Sequence, residues 1–178
     1  YIFPNHKMIV KSLIAKHPFI KTVIQNIHHK DTPIVLLDED KILYGDGYSK
    51  DKIDDLEFRL SSKSFYQVNP FQMIKLYHKA LDLLDIKQNQ VVIDCYSGIG
   101  TISLLAAKKA KEVLAIEVNP SSVSDAIYNK KINQVDHVNF ILADVEMFLS
   151  SYQGQVQALI LDPTRAGQNA FVIFHVIQ

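Results

Sequence analysis

The stretch Val91-Val92-Ile93-Asp94-Cys95-Tyr96-Ser97-Gly98-Ile99-Gly100-Thr101 constrains the fold of this chain more than any other. Its three β-branched residues predict a strand covered on both faces. Asp94 ends the apolar run, and Gly98 and Gly100 allow a tight turn and a close backbone approach to a ligand. Ile102, Leu105 and Ala106 then recur at helical spacing. The N–H groups that open such a helix point into the loop and favour a polar ligand.

Two cofactor classes use this geometry, and a plain tight turn is the third reading. In the dinucleotide fingerprint Gly-x-Gly-x-x-Gly, the third glycine falls on Ser103, so the match is partial. The acidic-x-x-x-Gly-x-Gly loop of S-adenosylmethionine-dependent methyltransferases is met in full by Asp94 through Gly100.

The pattern around this loop alternates strictly. Strands are predicted at 91–95, 112–117, 137–142 and 156–161, with helices at about 100–109, 120–132 and 144–151 and a further helical segment from about Gln168. Repeated β–α units of this length predict a parallel, doubly wound α/β sheet with ligands at the carboxyl ends of its strands. Ahead of it, Asn69 and Pro70 mark the start of a helix that runs to about Leu84.

Residues 1–69 have a different texture. Asn5 caps a predicted helix through about Lys16, with Ile9, Val10, Leu13 and Ile14 as its apolar face and Pro18 as its stop. Short β runs follow at 22–27, 34–37, 41–44 and 56–60, separated by Asp31-Thr32-Pro33, Asp38-Glu39-Asp40 and Gly45-Asp46-Gly47. The expected organisation is a partial α+β module over 1–69 followed by a ligand-binding α/β domain over 70–178. The start at Tyr1, the four-stranded sheet and the apolar ending at Gln178 lead to the expectation that the natural chain extends at both ends.

Composition narrows the class. No apolar run approaches a membrane span and no signal-peptide pattern opens the sequence. One cysteine among 178 residues rules out internal disulfides and cysteine-based metal clusters, so a cytoplasmic protein without a metal site is expected. Net charge is zero, but residues 1–30 hold five lysines, four of the seven histidines and no acid. A basic end can mark a phosphate-contact surface; a solvated helix face is the simpler explanation from charge alone.

Acids recur at the predicted strand ends: Asp94, Glu117, Asp144 and Asp162. Any one alone can be a cap or a turn residue. Glu117, ending the second strand, is placed to accept from both hydroxyls of an adenosine ribose. Asp144 can meet an adenine amino group or simply cap the next helix. Asp162 faces the reacting end of a bound cofactor.

Three blocks make the chain resemble the RNA (uracil-5-)-methyltransferases, which form 5-methyluridine. Ser64-Phe65-Tyr66-Gln67-Val68-Asn69-Pro70 is similar to the family's S-F-x-Q-V-N block, Asp94–Thr101 to its D-x-Y/F-C-G-x-G-T/N loop, and Asp162-Pro163-Thr164-Arg165-Ala166-Gly167 to its D-P-P/A-R-x-G block. Order and spacing agree, and amino-methylating enzymes would want an aromatic residue where Arg165 stands. The resemblance implies a Rossmann-like domain that binds S-adenosyl-L-methionine through Gln67, Asp94, Tyr96, Gly98, Gly100, Thr101, Glu117, Asp144 and Asp162. It implies RNA as partner, 23S ribosomal RNA in preference to transfer RNA, with the basic module as candidate contact and no membrane association.

In the resembling family a cysteine thiolate adds to C6 of uracil, C5 takes the methyl group, and a carboxylate removes the C5 proton. Both residues follow the D-P-x-R block, so the catalytic cysteine and glutamate are expected beyond Gln178. Cys95 falls at a variable position and reads as small buried filler. These 178 residues alone are therefore expected to bind S-adenosylmethionine weakly or not at all, and not to methylate. Two other readings remain open: a dinucleotide-dependent oxidoreductase, against which Ser103 and the D-P-x-R block argue, and a non-catalytic RNA-binding relic.

Overall fold

The computed structural model describes residues 2–27, 39–67 and 69–163. Within them the elements run α1 (His6–Lys16), β1 (Val23–Asn26), β2 (Asp40–Tyr44), β3 (Tyr48–Ile53), β4 (Leu56–Ser61), α2 (Pro70–Leu84), β5 (Val91–Cys95), α3 (Thr101–Ala107), β6 (Glu112–Glu117), α4 (Pro120–Ile132), β7 (Val138–Leu142), α5 (Val145–Ser151) and β8 (Ala158–Leu161). The predicted strand at 34–37, Val68, the Thr164–Gly167 part of the third block and the segment from Gln168 lie outside the described residues.

The four later strands form one parallel sheet in the order β7-β6-β5-β8. Chain order reverses between β5 and β8, so the crevice at their carboxyl ends is the topological switch point where such sheets bind ligands. The central strands β5 and β6 are mostly apolar because both their faces are covered. Val92, Val113 and Ala115 enter one core with α2 and α3, while Ile93, Cys95, Leu114 and Ile116 enter the other with Val145 and Phe148 of α5.

The helix starts follow from local chemistry. Pro70 needs no N–H partner in the first turn, and the Asn69 side chain accepts from the Gln72 N–H at 3.1 Å. Asn119-Pro120 repeats the device on α4, with Asn119 accepting from Ser121 at 2.9 Å. Asn5 occupies the cap position of α1, but at φ 56° its side chain makes no cap bond; its carbonyl alone accepts, from Met8 and Ile9. Of the four apolar residues expected to form α1's face only Val10 is buried, because among the described elements the helix packs mainly on β2.

Strand β3, Tyr-Ser-Lys-Asp-Lys-Ile, has no strand signal of its own, with three charges in six residues. It forms because Asp54, in the left-handed region at φ 54°, turns the chain back and aligns Tyr48 to Ile53 against Ser61 to Leu56. The inward face of this hairpin carries Ile53, Leu56, Phe58 and Leu60. These join the same core as Met73, Tyr77 and Leu81 of α2 and Val92 of β5.

Candidate functional site

The loop after β5 is shaped by constraints at four residues. Tyr96 sits in the left-handed region at φ 63°, a conformation costly for a bulky residue and often found at ligand sites. Ser97 N–H donates to the Ile116 carbonyl at 3.0 Å, tying the loop to β6. Gly98 and Gly100 both have positive φ, but for different reasons. A Cβ on Gly100 would meet the Phe140 ring at 2.4 Å, so this glycine serves packing; a Cβ on Gly98 would meet nothing within 4 Å. Gly98 therefore faces open space, and Gly100 opens α3, whose first residue, Thr101, is buried.

Glu117 closes on this loop from the end of β6. One of its carboxylate oxygens accepts from Gly98 N–H at 2.9 Å and the other from Asn119 N–H at 2.7 Å. Asp144, exposed at the start of α5, accepts from Met147 N–H at 3.1 Å and so acts as that helix's cap. It follows Ala143, whose N–H donates to the Glu117 carbonyl at 3.1 Å.

Asp94 is fully buried and hydrogen-bonded by the Ser103 hydroxyl. Burial pushes its carboxyl up to about 7 against the pull of Ser103, helped by the negative charges of Asp162 and Glu117. Ser103, which the sequence offered only as a mismatch to the dinucleotide pattern, is thus the residue that holds the loop's acid. Tyr77 was missed as well. The sequence places it on the apolar face of α2, yet its phenol lies near the Gln67 side chain, and burial and the charges of Asp162 and Asp94 raise it to about 12. Gln67, Tyr77, Asp94 and Asp162 therefore meet at the switch point, with Gly98 and Glu117 beside them. Cys95 points to the opposite face of β5, inside the second core, where burial pushes its thiol up to about 12. It stays protonated at neutral pH.

Three observations fit an adenosyl cofactor carrying a cationic sulfonium. The space over Gly98 is open. Asp94 Oδ1 and Ser97 Oγ are buried in the loop with no hydrogen-bond partner among the described residues. The negative charges of Asp162 and Glu117 act on Asp94, an arrangement that favours a positive ligand. Among the described residues no cluster of histidine, cysteine, aspartate and glutamate is placed to hold a metal ion, and no helix is long and apolar enough to cross a membrane.

A parallel sheet in this order, with a glycine loop after its central strand and an acid at the end of the next, defines a Rossmann-like nucleoside-binding domain. The family model described as tRNA (uracil-5-)-methyltransferase matches residues 22–173, and the chain belongs to that family. An uncharacterized RNA methyltransferase of Oceanobacillus iheyensis is 42% identical over 168 residues, covering 93% of this chain and 37% of the relative. Another, of Caldanaerobacter subterraneus, is 40% identical over 177 residues, covering 98% of this chain and 39% of the relative. The chain thus spans well under half the length of these curated relatives. Among solved structures, the Pyrococcus abyssi tRNA (uracil-54, C5)-methyltransferase in complex with S-adenosyl-L-homocysteine shares the fold with a TM-score of 0.71 at 22% identity, covering 88% of this chain and 38% of that one. The cofactor of the family, S-adenosylmethionine, is the group the site fits.

Proposed function

We propose that this chain is the cofactor-binding part of an S-adenosylmethionine-dependent RNA methyltransferase that forms 5-methyluridine. The observation that carries the reading is the meeting of Gln67 with Asp94 and Asp162 around Tyr77, because it joins the block most particular to the resembling family to the cofactor loop. Bound there, S-adenosylmethionine supplies a methyl group on a cationic sulfur. Gly98 admits the cofactor against the backbone, and Glu117 holds the ribose hydroxyls while its backbone bonds fix its direction. Asp144 caps α5 and turns its carboxylate toward the adenine amino group. Tyr96 and Thr101 line the loop, Gly100 sets its packing, and Asp94 and Asp162 place negative charge near the sulfonium.

Gln67 stands between cofactor and target base, and the base reaches it by flipping out of its stack. The nucleophile that adds to C6 is a cysteine outside these 178 residues, because the one cysteine within them is buried and protonated. The exposed lysines Lys7, Lys11, Lys16 and Lys21 of the module over 1–69 contact the phosphate backbone. The proposed RNA is 23S ribosomal RNA. Transfer RNA is the second reading, favoured by the family's own description and by the named activity of the Pyrococcus neighbour. Incubating the full-length gene product with S-adenosylmethionine and transcripts of both RNAs, then digesting to nucleosides for mass spectrometry, is expected to reveal 5-methyluridine in the ribosomal transcript. Its appearance only in transfer RNA selects the second reading, and a methylated product other than 5-methyluridine defeats both.

A further inference from the structure

Asp125 and Asn129 of helix α4 and Asn133 at its C-cap lie about one turn apart, and each binds the free edge of β4. Asn133 accepts from Glu57 N–H at 2.8 Å and donates to its carbonyl at 2.7 Å. Asn129 accepts from Arg59 N–H at 2.7 Å and donates to its carbonyl at 3.2 Å. Asp125 accepts from Ser61 N–H at 2.9 Å. Four residues of helix advance about 6 Å and two residues of strand about 6.7 Å, so side chains four apart can pair with every second residue of a strand. The helix substitutes for a neighbouring strand and satisfies the edge.

Two rungs reach further. Asn129 is completely buried, and its amide also donates to the Ile99 carbonyl at 3.2 Å, between the two glycines of the cofactor loop. Asp125, 2% exposed, takes the Arg59 guanidinium on one oxygen at 2.8 and 3.0 Å. Its other oxygen takes Ser61 N–H and the Ser64 hydroxyl, the latter at 2.7 Å. Ser64 opens the segment that carries Gln67 three residues later. Among the described residues Asn133 bonds to Glu57 and to the Asn129 carbonyl, and to neither the loop nor that segment.

We propose that Asp125 and Asn129 are positioning residues that hold the Gln67 segment and the cofactor loop in one register, so that the base-facing and cofactor-facing sides of the site are set by the same helix. This rests on the S-adenosylmethionine reading of the site. Neither residue touches cofactor or base; both act through Ile99, Arg59 and Ser64. A merely structural ladder makes the three rungs equivalent, whereas a positioning role separates Asn133 from the other two.

The test is calorimetric titration of S-adenosylhomocysteine into the full-length gene product and its variants, with circular dichroism showing each variant folded at the titration temperature. Asn129→Ala is expected to raise the dissociation constant about tenfold, and Asn133→Ala to leave it within about twofold. Ser64→Ala, which removes a single hydroxyl and leaves the buried pair intact, is expected to raise it by about threefold even if Asn129→Ala does not fold. Equal weakening by Asn129→Ala and Asn133→Ala overturns the proposal, as does wild-type affinity in both Asn129→Ala and Ser64→Ala. Failure of the unsubstituted protein to bind S-adenosylhomocysteine instead refutes the reading of the site, and the positioning role falls with it.

Discussion

Asp94 is a carboxyl group whose proton affinity is set by burial, and its titration is visible in stability. Its folded value, about 7, lies above the ordinary 3.8, so between those values the folded state binds more protons than the unfolded one. The stability it contributes is complete below about pH 4 and is lost as pH rises through about 7. Urea melts of wild type and Asp94→Asn should therefore diverge with pH, wild type losing on the order of 4 kcal/mol relative to the variant between pH 4 and pH 8. Parallel pH profiles for the two would show that Asp94 is ionised throughout. The two loop glycines make a second pair of expectations. Gly100→Ala drives a methyl group into the Phe140 ring and should destabilise the fold by about 3 kcal/mol, whereas Gly98→Ala meets only open space and should cost about 1 kcal/mol from its backbone angle. The larger effect of Gly98→Ala should appear in S-adenosylhomocysteine affinity, measured by calorimetry; the opposite pattern would put the ligand space elsewhere. At this scale the acids and glycines of the loop were legible in the sequence because backbone chemistry restricts what such a turn can contain. Ser103 and Tyr77 were not, since a serine and a tyrosine among apolar helix residues look like tolerated core positions until their partners are in place.

Helices α2 and α4 show why some elements are readable. Asn-Pro before a helical pattern fixes the start by two separate means, a side-chain acceptor and a residue that lacks the orphan donor. Asn119→Ala should lower stability by about 1 kcal/mol in a denaturant melt, and no change would mean that Pro120 alone sets the α4 start. Strand β3 shows the opposite case. Lys50 and Lys52 belong to its outward face, while Asp51, opposite Phe58, accepts from the Tyr66 hydroxyl, and only the partner strand makes it a strand. The ladder of α4 is legible after the fact as Asp-x-x-x-Asn-x-x-x-Asn, but a polar stripe at helical spacing is the same pattern that water-facing helices show. Its meaning lies in the strand edge it covers.

At the scale of the whole chain, the hairpin of β3 and β4 shares one core with α2 and the parallel sheet. A division at residue 69 is therefore proposed as one of role, mainly RNA contact before it and, Gln67 apart, cofactor binding after it, across a packing unit that spans it. Phe58→Ala, removing a fully buried ring, should cost about 4 kcal/mol and shift the same cooperative transition that reports on the sheet; a separate early transition would show the hairpin folding apart from it. The alternation of strands and helices made the α/β architecture legible, because that period admits few other folds. The approach of Gln67 to the loop was expected only from the family resemblance and not from periodicity, since it depends on where α2 and β4 carry the intervening chain. The central claim is that the strand ends form an S-adenosylmethionine site and not a dinucleotide site. Calorimetry on the full-length gene product tests it most directly: S-adenosylhomocysteine should bind and NAD should give no heat, whereas saturable NAD binding with none of S-adenosylhomocysteine would contradict it.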